Sequence, residues 1–396
     1  MQNTLNQIDK KVTYKKRLFH HIKGEVPGPI LVFFAGVHGN ELAGVKGLNR
    51  ALTNLDRSTI KGEIYGVYGN IKAINSDERF IEKDLNRAWT SKNLNALNSR
   101  GGLENEDREQ NDLLELINTI TTRKDVPIYF IDLHTTSSRS LPFITINDTL
   151  VNRKLSECFP VPIVLGIEEY LDGTLLSYLN TLGYVALGFE AGQHTDPLAI
   201  ENCEAFINLT LFASGVLINN SKIAIQKHRN LLKSSSEGIS AFFEIVFKYH
   251  IQIEEKFEMI KGFKSFQDIK KGELLAHTNG KNISSQFNAK IFMPLYQKSG
   301  EDGFFIIRFV PRFFLWLSKL LRKLNSDTLL TLLPGVEWQD KKKGVLLANL
   351  GTTRYLAKEI FHLFGYRRQI IDENKVLLYN RERVAKNRMY KKEPWF

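Results

Sequence analysis

The 396-residue sequence is poor in cysteine and lacks both long apolar runs and internal repeats. Its two cysteines, Cys158 and Cys203, exclude a disulfide-built scaffold and fit a reducing environment. No apolar stretch approaches the roughly 20 residues that span a bilayer. The first residues lack the apolar core of a secretory signal, so we expect a cytoplasmic protein. The 43% hydrophobic and 24% charged residues are those of a globular chain with two or three domains.

Through about residue 236, apolar runs of strand length alternate with segments of helical periodicity. The strand-like runs lie at 30–35, 63–68, 128–133, 143–146, 161–165 and 184–189, and the helical segments lie at 41–54, 107–121, 148–157, 172–182 and 198–218. This alternation predicts an α/β fold in which a mixed, twisted sheet is sandwiched by helices. The charged stretch 70–89 is interpreted as a loop.

The character of the sequence changes after residue 236. Residues 240–310 show short apolar–polar alternations separated by Gly, Asn and Asp, a pattern typical of a small all-β domain. From Pro311 the chain becomes basic and helical. We therefore predict three parts: an α/β domain at 1–236, a small β domain at 237–310 and a basic, partly helical extension at 311–396.

The extension carries 18 Lys+Arg against 8 Asp+Glu, which is most of the net charge of +11. Its segment 313–324 has apolar residues on most of its surface and three cations. We favour packing of this segment on the first domain or on a second subunit, which would be a homo-oligomer contact. Weak contact with a membrane surface stays open as the alternative. No recognised nucleic-acid module is present, so no nucleic-acid partner is expected.

Two predicted strands end in residues that commonly bind metals. His38 and Glu41 follow strand 30–35 after Gly36, and His134 follows strand 128–133. Because parallel neighbours would bring these strand ends together, two imidazoles and one carboxylate could hold Zn²⁺ with one position open for water. Asp132 is a candidate to hold the second nitrogen of an imidazole. The residues alone leave open the simpler alternative of polar side chains at solvent-exposed strand ends.

Four motifs, taken together and in this order, carry a resemblance to a known family. They are Gly36-Val-His-Gly-Asn-Glu41, Asp84-Leu-Asn-Arg87, Asp132-Leu-His134-Thr-Thr and Gly188-Phe-Glu-Ala-Gly192. Over roughly residues 28–310 the chain resembles the succinylglutamate desuccinylase/aspartoacylase family, which has a zinc-carboxypeptidase-like fold. The resemblance implies that residues 1–236 are a zinc hydrolase domain and that 237–310 cover its site.

The resemblance also implies a role for each motif residue. His38, Glu41 and His134 match the ligands of one Zn²⁺ per chain, and Glu190 matches the general base. Arg79 would polarise the scissile carbonyl, while Asn86 and Arg87 would hold a substrate carboxylate. If the motif is disregarded, Arg79, Asn86 and Arg87 are interpreted as solvated residues of a surface loop. Tyr296 is a weaker candidate for a substrate contact, and His194 has no assigned role.

The expected activity is that of a zinc-dependent amidohydrolase acting on carbon–nitrogen bonds other than peptide bonds, namely linear amides. The expected partner is a small acylated amino acid, from which the acyl group is removed. Two alternatives stay open: a metallocarboxypeptidase acting on peptides, and a non-catalytic binding protein on the same scaffold. The sequence specifies neither the acyl group nor the amine.

Overall fold

The computed structural model describes residues 13–97, 103–218, 221–297, 300–349, 357–370 and 375–396, so residues 1–12 of the first predicted domain lie outside it. The strands are β1 (Leu18–Lys23), β2 (Val26–Ala35), β3 (Lys61–Tyr68), β4 (Ile128–Thr136), β5 (Phe143–Ile146), β6 (Ile163–Leu165), β7 (Val185–Gln193), β8 (Phe242–His250), β9 (Phe257–Met259), β10 (Asp268–Ile269), β11 (Leu274–Thr278), β12 (Lys281–Ser284), β13 (Ala289–Phe292), β14 (Asp302–Phe309), β15 (Val336–Asp340), β16 (Val345–Asn349), β17 (Tyr366–Ile370) and β18 (Lys375–Asn380). The helices are α1 (Ala43–Leu52), α2 (Ile71–Ser76), α3 (Ser91–Leu97), α4 (Asn105–Thr121), α5 (Leu150–Ser156), α6 (Leu175–Thr181), α7 (Leu198–Ala213), α8 (Lys222–Ser235), α9 (Arg312–Lys323) and α10 (Ala357–Leu363).

One mixed sheet of eleven described strands runs in the order β1-β3-β2-β4-β7-β5-β6-β8-β14-β13-β10. Strands β3, β2, β4 and β7 are parallel neighbours. Alternate residues of β2 face two different helical layers: Leu31 and Phe33 pack with α1 and α7, whereas Val32 and Phe34 pack with α4 and α6. A strand that is buried on both faces must be apolar throughout, which explains why residues 30–35 form a continuous apolar run. The predicted α/β sandwich is confirmed.

Three helices of the first predicted domain were missed by the sequence analysis. The loop predicted at 70–89 contains α2, which begins at the side-chain cap of Asn70. Helix α3 follows that loop, and α8 follows the helix predicted to be the last of its domain. Helix α2 has only six residues, α3 buries only Leu97, and α8 buries only Leu232. None of the three therefore carries the apolar periodicity from which a helix is recognised.

The strands after residue 236 extend the same sheet. Strand β8 pairs in parallel with β6, and β14, β13 and β10 follow in antiparallel order. A separate three-stranded sheet, β12-β11-β9, lies beside them. The all-β content of 240–310 is as expected, and its hydrogen bonding continues that of the α/β domain.

The basic extension contains more strand than the sequence analysis predicted. After α9, strands β15, β16, β18 and β17 form a four-stranded antiparallel sheet. Its core joins strand residues such as Leu346, Tyr366 and Leu378 with Phe361 of α10. These strands have only five or six residues, so their apolar–polar alternation is too short to be a strong strand signal. Their apolar side chains become buried only when the sheet packs against the helix.

A buried carboxylate joins the extension to the first domain. Asp148 is fully buried, and its oxygens lie 2.5 Å from Nε of Arg153, 2.8 Å from Nη2 of Arg322 and 2.8 Å from Nη2 of Arg367. Burial alone would raise the pKa of Asp148, but the three guanidinium groups outweigh it and hold that pKa well below its ordinary value. Since two of the three arginines belong to the extension, Asp148 is the anchor of this joint.

Replacing Asp148 by asparagine is expected to lower the free energy of unfolding by about 3–5 kcal/mol, because buried guanidinium groups lose their carboxylate. Urea denaturation followed by circular dichroism measures the loss. Asp340→Asn is a matched control, since its carboxylate lies 3.8 Å from Nζ of Lys343 at the surface, and a change below about 1 kcal/mol is expected there. Equal shifts in the two variants would contradict the anchoring role.

Candidate active site

Strand register brings the predicted metal ligands to one edge of the sheet. Strands β2 and β4 are parallel neighbours in which Ala35 pairs with Leu133. The chain leaves β2 one residue later, at Gly36, while β4 continues through His134. Across β4 and β7, His134 pairs with Glu190. Three segments that are far apart in sequence therefore end side by side, as expected at the carboxyl edge of a parallel sheet.

Two glycines shape the turn that carries His38 and Glu41. Gly36 has a φ of +69°, and a side chain there would also meet Ile74. At Gly39 a Cβ would lie 2.1 Å from the carbonyl carbon of Ala73, so no side chain fits between the turn and α2. The two positions need glycine for different reasons, one for its conformation and one for close approach.

His38, Glu41 and His134 converge as a buried triad. Nδ1 of His38 lies 2.9 Å from Oε1 of Glu41, and Nδ1 of His134 lies 3.0 Å from Oε2 of the same carboxylate. The backbone N–H of Thr135 donates to that Oε2 at 2.9 Å. One potential ligand atom from each triad residue falls within 4.8 Å of the others. Two imidazole nitrogens and a carboxylate at this spacing are a donor set suited to one divalent ion.

A second carboxylate lies beside each imidazole. Nε2 of His38 lies 3.0 Å from Oδ1 of Asp84, and Nε2 of His134 lies 2.9 Å from Oδ2 of Asp132. Carboxylates at Nε2 favour a proton there and leave the Nδ1 lone pairs facing the triad centre, the usual arrangement around a bound metal. Asp132 was proposed from the sequence for this contact. Asp84 was missed in that role, although it opens the Asp-Leu-Asn-Arg motif.

The charges around the triad favour a cation at its centre. Burial alone would raise the pKa of Glu41, but His38 and His134 outweigh it and hold that pKa well below its ordinary value. Conversely, Asp132 and Glu41 outweigh burial and raise the pKa of His134 well above its ordinary value. Both shifts show that positive charge is favoured beside these carboxylates, and a divalent cation would supply it.

The seven residues to which the resemblance gives a metal-binding, catalytic or substrate-binding role line one cavity of about 470 Å³. They are His38, Glu41, Arg79, Asn86, Arg87, His134 and Glu190. The rest of the wall includes Met293, Leu295, Gln297 and Phe305. A cavity of this size suits a small molecule better than an extended chain.

Glu190 is a carboxylate that forms no ion pair with any residue in the described ranges. It is partly exposed to the cavity, yet its Oε2 atom is buried and makes no hydrogen bond within the described part of the chain. Burial raises the pKa of Glu190 to about 8. A carboxyl group that can hold or release a proton near neutral pH, next to a candidate metal site, can act as an acid or a base.

The predicted arginines occupy different parts of the cavity. Arg79 is close to the triad, with Nη1 3.5 Å from Oε1 of Glu41 and Nη2 donating to Asp84 at 3.0 Å. Arg87 is held by Asp302, whose Oδ2 accepts from Nη2 at 2.9 Å while its Oδ1 lies 3.1 Å from Lys248. Asn86 accepts through Oδ1 from the backbone N–H of Leu175, which directs its amide NH₂ away from that helix end.

Two weaker candidates are placed differently. His194 lines the cavity and lies 2.7 Å through Nδ1 from the hydroxyl of Thr135. The hydroxyl of Tyr296 instead donates to the carbonyl of Ile260 at 2.8 Å and accepts from the N–H of Phe263. Tyr296 therefore ties together two loops of the β region. Asp302 was not singled out from the sequence, because nothing near it predicts a partner 215 residues away.

Comparison with known proteins identifies relatives of the sheet domain. The profile described as "Succinylglutamate desuccinylase/Aspartoacylase catalytic domain" matches residues 27–209, a range that contains all seven site residues. The succinylglutamate desuccinylase of Pseudomonas fluorescens is 39% identical over 64 residues, which are 16% of this chain and 19% of that protein. That of Photorhabdus laumondii is 32% identical over 111 residues, 26% of this chain and 33% of that protein. The matches therefore span about a fifth to a third of these relatives.

A solved structure shares the architecture more widely. The succinylglutamate desuccinylase/aspartoacylase from Rhodobacter sphaeroides aligns over 74% of this chain and 88% of its own, with a TM-score of 0.56 and 17% identity. At this level of identity the likeness establishes the fold, and the chemistry must be argued from the site.

Proposed function

Because residues 27–209 belong to the succinylglutamate desuccinylase/aspartoacylase family, we propose that this protein is a zinc-dependent hydrolase of N-acyl amino acids. The observation that carries the proposal is the shared cavity, in which a His-Glu-His triad, an unpaired carboxylate and two arginines meet. The triad, through the Nδ1 atoms and Glu41, would hold one Zn²⁺, which supplies Lewis acidity and lowers the pKa of water towards neutrality.

Glu190 is the proposed proton carrier. Its carboxylate, which is partly exposed to the cavity, accepts a proton from the attacking water and then delivers this proton to the nitrogen of the departing amine. The raised pKa of about 8 suits a group that must both take up and release a proton near neutral pH. The positive charge of Arg79 beside the triad stabilises negative charge that develops on the carbonyl oxygen.

The substrate carboxylate is proposed to bind at Arg87 and Asn86. Both line the same cavity as the triad, and Asp302 keeps Arg87 oriented. A guanidinium fork recognises carboxylates in two-point geometry. The scissile amide then lies between this contact and the triad, as expected for an acylated amino acid. The acyl group stays undefined, and the cytoplasmic location stays a prediction.

A substrate comparison tests the activity together with the clamp. The zinc-loaded protein should hydrolyse N-acetyl- or N-succinyl-amino acids, a panel that includes the succinylglutamate of the relatives' names. It should act far more slowly on matched amides without the carboxylate and on short peptides. Arg87→Ala should lower kcat/KM for the preferred substrate about 10- to 100-fold, mainly through KM, because a charged hydrogen bond contributes about 1.5–3 kcal/mol.

Arg123→Ala is the matched control, since Arg123 forms a surface pair with Glu63 at 3.0 Å, and its kcat/KM should stay unchanged. Faster cleavage of peptides would favour the metallocarboxypeptidase alternative. Metal binding without hydrolysis of any panel member would favour a binding protein on the same scaffold.

A further inference from the structure

Helix α9 buries two polar side chains and leaves several apolar ones exposed. Ser318 and Arg322 are 2% and 7% exposed and bond to the backbone carbonyl of Leu363 and to Asp148. Sequence analysis favoured packing for the apolar residues of this segment, and Leu315 and Leu321 do pack against buried cores. Five others are exposed, among them Phe314. The remaining four are Phe313, which is 60% exposed, Trp316 at 57%, Leu320 at 40% and Leu324 at 65%.

These four residues form one surface, which we call the apolar face. Their spacing of three, four and four residues puts them on one side of a helix. Leaving such side chains in water forgoes the free energy that burial of each would provide. Clustered exposed apolar residues usually mark a contact surface.

The apolar face is bordered by cations. A groove of about 1050 Å³ beside it is lined by Lys154, Arg229, Lys233, Arg312, Lys319 and Lys323, together with Trp316 itself. Glu157 is the one acidic residue among the described lining residues. Two of these cations, Lys319 and Lys323, belong to α9 and are exposed beside the apolar face. The occupant must therefore offer both apolar material and negative charge.

We propose that the apolar face and its basic groove dock on a membrane surface rich in anionic phospholipid. The apolar side chains would enter the boundary between headgroups and acyl chains while the cations meet lipid phosphates. A second copy of the chain fits less well, because a self-complementary contact would place the two basic grooves close together. Attachment is in the plane of the membrane, since no helix in the described ranges is long and apolar enough to cross it.

Vesicle binding by the full chain tests this docking. We expect co-sedimentation with phosphatidylcholine vesicles that contain about 30% phosphatidylglycerol, little binding to phosphatidylcholine alone, and release at high salt. Trp316 is the most exposed of the four tryptophans, since Trp89 and Trp395 are buried and Trp338 is partly buried, so Trp316 is the main reporter of insertion. Its emission should shift to shorter wavelength and be quenched by brominated acyl chains. Trp316→Phe should abolish most of the fluorescence change while keeping most of the binding.

Two double variants separate the apolar and the charged contributions. Phe313→Ser/Leu320→Ser should abolish insertion. Lys319→Glu/Lys323→Glu should weaken partitioning at least about 30-fold, since each basic residue near an anionic surface contributes about a factor of five. Matched controls are Ile253→Ser and Lys270→Glu/Lys271→Glu, which change exposed residues of the β region. All variants should keep the circular dichroism spectrum and thermal midpoint of the parent.

Three results would overturn the proposal. One is equal binding to vesicles with and without anionic lipid, and another is no binding to either. The third is a dimer in sedimentation velocity that Phe313→Ser/Leu320→Ser dissociates, because a second copy would then cover the apolar face. Each is independent of whether the cavity hydrolyses an acylated amino acid.

Discussion

Replacing Glu190 by glutamine is expected to lower kcat about 10²- to 10⁴-fold while the protein still binds its metal. The amide keeps the size of the side chain but cannot take a proton from water, and proton transfer by a positioned group contributes about this factor. Steady-state hydrolysis of the preferred N-acyl amino acid, with metal content determined by mass spectrometry, measures both quantities. KM should change little, because Glu190 lies outside the proposed carboxylate clamp.

The matched control is Glu82→Gln. Glu82 lines the same cavity but is solvent-exposed, so removal of its charge should alter kcat less than about threefold. If the Glu190 variant kept the parent's turnover, proton transfer would have to be assigned elsewhere in the cavity. If it lost the metal as well, Glu190 would belong to the metal site rather than beside it.

Removal of the metal is expected to have the second large effect. A chelator should abolish hydrolysis, by at least about 10³-fold, since Lewis-acid stabilisation contributes several kcal/mol to the transition state. One equivalent of Zn²⁺ per chain should restore it. His38→Ala should bind no stoichiometric metal in a direct titration, because two of the three donors cannot hold the ion tightly.

His194→Ala is the control for this experiment. His194 lines the cavity but bonds to Thr135 and stands outside the triad, so its variant should take up one equivalent of metal. Undiminished hydrolysis by the chelated protein would contradict a metal-dependent mechanism. Equal loss of metal in both histidine variants would contradict the ligand set.

The helical layers and the central strands were predictable because their signals are local. An unbroken apolar run such as 30–35 can be satisfied only by burial on both sides, and helical spacing such as that of 107–121 already specifies a buried face. Short or polar elements were missed because they carry no such local signal. Helices α2 and α8 and the four-stranded sheet of the extension acquire a core only through distant partners.

The chemistry of the candidate site was determined largely by the sequence. Positions 38, 41, 134 and 190 each lie at or just after the end of an apolar run. Their residue types limit the chemistry that is available at this edge of the sheet. Their convergence depends on parallel pairing of β2, β4 and β7, and that pairing is the arrangement favoured for buried apolar strands. Residue order and strand character predicted the convergence of His38, Glu41 and His134, whereas the resemblance to the family implied that Arg79, Asn86, Arg87 and Glu190 share their cavity.

Only the tertiary structure decided which groups hold those residues and which surfaces stay open. Asp302 reaches Arg87 across 215 positions, and Asp148 reaches Arg367 across 219; no local pattern encodes such pairs. The orientation of α9 was decided in the same way, because Asp148 and the carbonyl of Leu363 bind its polar side. An amphipathic sequence specifies two faces, and the partners available to each determine which face is buried.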